Sequence, residues 1–150
     1  MKWLKRILLA LVIIFALMQF VRPQLTNPPV DPARKLVAPP QVQTILDRSC
    51  RDCHSNETAW PWYSQVAPIS WWLADHVKDG RRELNLSEFR SYSARKSNKK
   101  LEEICEQVKE AEMPLKSYLP LHPSAKLSDA DRQTLCAWTD GLRAAARPGS

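Results

Sequence analysis

The chain is 150 residues long, carries a formal net charge of +6, and holds twelve prolines, six tryptophans and only three glycines. That length suits one domain with an appendage, and the lack of runs alternating β-branched with polar residues argues against a sheet protein. Four of the 22 basic residues (Lys2, Lys5, Arg6 and Arg22) flank an N-terminal stretch without acids, and the other 18 nearly balance the 16 acids, so the basic excess does not point to nucleic acid.

In "MKWLKRILLALVIIFALMQFVRP", basic residues precede an uncharged apolar run from Ile7 to Val21. Its length lies between the apolar core of a cleavable signal and a full membrane span, and no small-x-small cleavage site follows. Residues 1–22 therefore read as an uncleaved signal anchor, a transmembrane helix in contact with lipid, with a cleaved signal as the alternative. The charge bias keeps the N-terminus cytoplasmic. The rest of the chain is then exported, with its four cysteines in an oxidising compartment. Residues 23–39 follow as a proline-rich linker, which favours extended polyproline II backbone. It reads as a semi-rigid spacer holding the domain, expected over residues 40–145, off the membrane.

After Pro39-Pro40, apolar or small residues fall at Val42, Ile45, Leu46, Ser49, Cys50 and Cys53, spaced by threes and fours along one face of a helix. The stripe that buries this helix delivers two thiols almost a turn apart, and His54 follows directly. Two sulfurs on one edge and an imidazole beneath the centre suit a macrocycle with two vinyl groups and a central iron. C-x-x-C-H is the attachment signature of c-type haem, with the histidine as proximal iron ligand. Three other uses of the cysteines compete. A thioredoxin-like redox pair needs a strand–helix context that is missing here. A zinc site with Cys105 and Cys136 has the wrong spacing for a ribbon. A disulfide within one helix, three residues apart, is sterically poor.

The run "CRDCHSNETAWPWYSQVAPISWWLADHVKDGRRELNLSEF" then carries Ser55, W-P-W-Y-S at Trp60–Ser64, A-P at Ala67-Pro68, G-R at Gly80-Arg81, and Leu84, Asn85 and Ser87. In this pattern the chain resembles the small haem-binding domain family of membrane-anchored bacterial proteins, which are similar to class I c-type cytochromes. The resemblance spans roughly residues 40 to 143. It implies an all-α, cytochrome c-like haem-binding domain behind the anchor and linker, placed on the periplasmic side of a bacterial inner membrane.

A second axial ligand is sought among Met113, His76 and His122. Met113 follows the helical stretch "NKKLEEICEQVKEAEMP", and Pro114 disfavours helical backbone at Met113 itself, so its thioether projects from the start of a loop. It is the preferred ligand, and a gap-filling core methionine is the plain alternative. His76 reads as a hydrogen-bonded structural residue and His122 as an exposed one. Trp60, Trp62 and Tyr63 come directly after the motif and are expected to wall the haem, with N–H and O–H groups for its propionates. Arg81 is a candidate propionate partner or, more plainly, a solvated helix-end charge. Arg90–Lys100 reads as a basic loop. A terminal helix capped by Ser128 carries Leu135, Trp138 and Leu142. With Cys50 and Cys53 given to haem c, Cys105 and Cys136 are left as an even pair for a disulfide.

Two functions fit these residues. One is electron transfer by a monohaem cytochrome c that exchanges electrons with redox protein partners and depends on the haem c maturation machinery. The other is a haem enzyme or sensor, peroxidase-like or binding a small ligand, with an open or labile sixth iron position. No acid/base pair, nucleophile elbow or phosphate loop marks a second catalytic centre.

Overall fold

The computed structural model describes residues 1–146, and its regular elements are helices throughout. In chain order they are α1 (Lys2–Met18), α2 (Pro40–Ser49), α3 (Arg51–His54), α4 (Ile69–Glu83), α5 (Ala94–Lys109) and α6 (Asp129–Ala145), with short 3₁₀ turns at Trp62–Gln65, Phe89–Ser91 and Pro123–Ala125.

The helix faces follow the apolar spacing. Val42, Ile45, Leu46 and Ser49 are the buried residues of α2, and Leu101, Ile104, Cys105 and Val108 are those of α5. These faces meet Leu135 and Cys136 of α6 in the main core, which Leu36, Leu86 and Phe89 complete. The α6 helix starts on a reciprocal cap, in which the Ser128 hydroxyl accepts from the Asp131 N–H while the Asp131 carboxylate accepts from the Ser128 N–H. Of its expected stripe Leu135 is fully buried, Trp138 is half-buried and Leu142 is exposed. Cys105 and Cys136 are joined by a disulfide with Cα atoms 4.7 Å apart, which locks α5 to α6. A second, smaller cluster of Tyr63, Leu73 and Val77 packs with Trp60 and Cys53.

Three expectations change. First, α1 is 17 residues long and buries no residue. At 1.5 Å per residue it reaches about 25 Å, short of a hydrocarbon core of about 30 Å. No helix among the described residues is long and apolar enough to cross a membrane. The apolar run goes on to Val21, but Gln19, Phe20 and Val21 close three-residue turns onto Ala16, Leu17 and Met18, which ends the helix. Second, the proline-rich segment is no free spacer. Thr26 and Asn27 are held by Arg81, Asn27 donates to the Thr58 carbonyl, and the Leu36 N–H donates to the Leu86 carbonyl at 2.8 Å. Leu36 itself is 7% exposed and belongs to the main core. Residues 26–36 thus strap the domain, because their unpaired backbone and side-chain groups find partners there. Third, the basic segment from Arg90 is helical from Ala94, where the Ser93 hydroxyl caps α5, and Lys100 is neutralised by Glu83 and Glu103.

Candidate haem site

The helix that carries the first cysteine stops at it. Cys50 leaves helical geometry (φ −126°, ψ −35°), so α2 ends at Ser49 and the one-turn α3 sets off in a new direction. This break divides the two thiols between the clusters, with Cys50 against the main core and Cys53 against the smaller one.

His54 is aimed by α4. Its Nδ1 lies 2.9 Å from the Gly80 carbonyl oxygen and 3.1 Å from that of Leu84. Both oxygens can only accept, so Nδ1 carries the hydrogen and Nε2 keeps its lone pair. Carbonyl acceptors on the far ring nitrogen fix an imidazole's tautomer and orientation, as they do for histidines that ligate metals. Burial pushes the His54 pKa below the ordinary histidine value, against the two carbonyls, which keeps the ring neutral. Such an approach requires glycine at position 80. A Cβ there would lie 2.6 Å from the Cys53 carbonyl oxygen and 3.3 Å from the Cys53 Cβ.

Neither motif cysteine is in a disulfide. Burial, then the neighbouring Cys53, pushes the Cys50 thiol up to about 12. Burial and Asp52 push Cys53 up to about 11, although Arg81 opposes the shift. Both groups are therefore neutral thiols at neutral pH. The zinc arrangement with Cys105 and Cys136 does not form, since those two sulfurs are bonded to each other.

Beside Cys53 lies a small cavity of about 10 Å³, bounded by Tyr63, Leu73, Val77, Asp52, Tyr118 and His122 among others. The Tyr118 hydroxyl donates to the Asp52 carboxylate at 2.8 Å, and its ring stacks on His122 with centroids 3.8 Å apart. Burial and that bond raise the Tyr118 pKa well above the ordinary tyrosine value. The His122 Nδ1 faces the Tyr118 carbonyl at 3.2 Å, so it is the donor, and Nε2 accepts from the Tyr63 hydroxyl at 3.4 Å. Trp60 packs with Tyr63 and Cys53, and its indole N–H is buried without a hydrogen-bond partner. An orphaned buried donor costs about 1–3 kcal/mol. A ligand acceptor in this place would remove that penalty.

A family model described as a haem-binding domain matches residues 13–141. The chain belongs to this haem-binding domain family. No curated protein and no solved structure matches it.

The residues fit the group that the family binds. This haem-binding domain offers a neutral imidazole with Nε2 unprotonated, two unbonded thiols at a helix break, and an unpaired indole N–H that packs with Cys53; of these groups Cys53 borders the cavity. Other expected residues lie elsewhere. Trp62 is 79% exposed and touches the site only through an edge contact with Tyr63. Arg81 is a clamp, donating through Nε to the Ser55 carbonyl and through its two Nη atoms to Thr26, Asn27 and Thr58. His76 bonds the Trp72 carbonyl and packs on the Trp72 ring. Met113 is half-buried on the loop after α5, where Ala111 adopts a positive φ of 56° and the N–H groups of Glu112 and Met113 return to the Gln107 carbonyl. It is not among the residues bounding the cavity beside Cys53. Asp52, Tyr118 and His122, by contrast, do bound it. His122, expected to be exposed, is half-buried. The one local hint was its four-residue spacing from Tyr118, which in a turn of chain brings the two rings together.

Proposed function

We propose that this chain is a monohaem c-type cytochrome, with haem bonded to Cys50 and Cys53 and ligated by His54, which transfers electrons at the periplasmic face of a bacterial inner membrane. The observation that carries the reading is the pair of unbonded thiols beside an imidazole whose Nδ1 is held by the Gly80 and Leu84 carbonyls. That arrangement leaves Nε2 for iron and two sulfurs for the vinyl edge. When bound, haem supplies a one-electron couple, while the chain supplies attachment, ligands and a low-dielectric surround that set its potential. Trp60 holds a propionate through its free N–H, and Tyr63 walls the ring. Met113, on the loop after α5, would supply the second ligand to the iron. Attachment requires haem c maturation machinery, and α1 attaches the protein to lipid. Redox proteins are the partners. No nucleic acid is involved.

A second reading has one observation in its favour. The cavity beside Cys53 is bounded by Tyr63, Tyr118 and His122 rather than by Met113, and hydrogen-bonding side chains next to an open iron position suit a haem enzyme or a sensor of a small ligand. One experiment separates the two. The full chain is expressed with haem c maturation, and its haem is expected to survive acid–acetone extraction; haem released into the organic phase refutes covalent attachment. The reduced protein is then mixed with carbon monoxide. An unchanged spectrum supports methionine ligation and electron transfer, whereas rapid binding supports the enzyme or sensor.

A further inference from the structure

The exit of α1 is hydrogen-bonded to the start of α4. The side chain of Gln19, just past the end of α1, accepts from the Ala67 N–H at 2.9 Å and donates to the Ala67 carbonyl at 3.2 Å. Two residues on, the Val21 carbonyl accepts from the Trp71 indole N–H at 2.6 Å. These bonds fix the exit of the exposed helix against the first turn of α4. Exposed apolar side chains in these segments include Phe20 at 85%, Ile69 at 46% and Trp72 at 44%, and Trp62 stands on the 3₁₀ turn packed against α4. Neither Ile7–Val21 nor Ala59–Ala74 contains a charged residue. Cations bracket the apolar helix, with Lys2, Lys5 and Arg6 at one end and Arg22 at the other.

We infer that the start of α4 is a lipid-docking face, lying in the headgroup boundary of a bilayer that contains anionic phospholipid. This rests on the reading of α1 as lipid-attached. Tryptophan is favoured at that boundary, where its ring meets acyl chain and its N–H meets water or carbonyl, and bracketing cations suit anionic headgroups. Ile69, Trp72 and His76 form one stripe of α4, and Leu73 and Val77, which border the cavity beside Cys53, form the stripe beside it. The haem site thus lies one helix behind the membrane surface, held there by the strap and the Gln19 bonds, instead of standing off on a spacer.

The full haem-loaded chain is placed in nanodiscs of phosphatidylcholine and phosphatidylglycerol carrying a photoactivatable diazirine near the headgroup, and lipid adducts are mapped by mass spectrometry. Adducts are expected on α1 and also on Ile69 and Trp72, severalfold above those on Leu142, an exposed side chain of α6. Adducts confined to α1 would overturn the docking face and leave the attachment standing. Adducts on neither would remove the attachment and the docking face together. In Gln19→Ala the yield on Trp72 is expected to fall severalfold with the α1 yield unchanged, and an unchanged Trp72 yield would show that this tether does not orient the domain.

Discussion

Replacing Gly80 with alanine tests the contact that aims His54. The added methyl would sit 2.6 Å from the Cys53 carbonyl oxygen and 3.2 Å from its carbon, both backbone atoms. Helix α4 must therefore move away from α3, and the His54 Nδ1 bonds to Gly80 and Leu84 lengthen with it. Overpacking of this kind costs about 1–3 kcal/mol, and weakening a buried hydrogen bond adds about 1 kcal/mol. Alanine's better helix propensity returns about 1 kcal/mol. The net loss is about 1–3 kcal/mol, or roughly 3–10 °C in Tm for a chain of this size. Gly141 supplies the control. It too lies within a helix, but a Cβ there meets nothing within 4 Å, so Gly141→Ala is expected to gain about 0.5–1 kcal/mol. Thermal melts of both apo variants decide the matter, and equal stabilisation by the two alanines would refute the close-approach reasoning. In the haem-loaded protein, weakening of the Nδ1 bonds to Gly80 and Leu84 is also expected to weaken the hold on metal by about 10–100-fold, read as faster exchange of His54 for added imidazole.

Met113→Ala is expected to leave haem attached and to lower the reduction potential in spectroelectrochemical titration, because a sulfur ligand is lost; an unchanged potential would assign the second axial position elsewhere. Cys105→Ser with Cys136→Ser opens a covalent link spanning 31 residues and should lower unfolding free energy by about 3–4 kcal/mol in denaturant titration. Arg81→Ala removes four hydrogen bonds to protein and is expected to destabilise by about 2–3 kcal/mol. Faster amide exchange over residues 26–36, with little change in potential, would support its role as a clamp, whereas a large potential shift would return it to the propionates.

The parts of the fold that repeat locally were legible in the sequence. Spacings of three and four marked the buried faces of α2 and α5, and Ser128 with Asp131 marked the start of α6. C-x-x-C-H placed Cys50, Cys53 and His54 together because its geometry is contained in five residues. What escaped was set by partners far along the chain. Arg81 looked like a free charge until Thr26, Asn27, Ser55 and Thr58 surrounded it. The strap of residues 26–36 looked like a spacer because proline content describes the backbone and says nothing of what it lies against. Tyr118 and Asp52 are 66 positions apart, and no periodicity connects them. Gly80 had a place in the family pattern, but its reason, the approach to Cys53, is visible only in three dimensions.

The division of the motif between two clusters has a consequence for folding cooperativity. Cys50, at the helix break, belongs with the large core, and Cys53, within the one-turn α3, with the small one. Without cofactor, hydrogen bonds at His54, at Asn56 and along the Arg81 strap join the regions of the two clusters, and the small cluster, with few buried apolar residues, is the unit expected to open at lower free energy. A ring bonded to both sulfurs would be a covalent rivet across that seam. On the proposed reading, cofactor attachment would do more than install a redox centre. It would join the two clusters into one cooperative body and leave the apo chain the form more open to proteolysis.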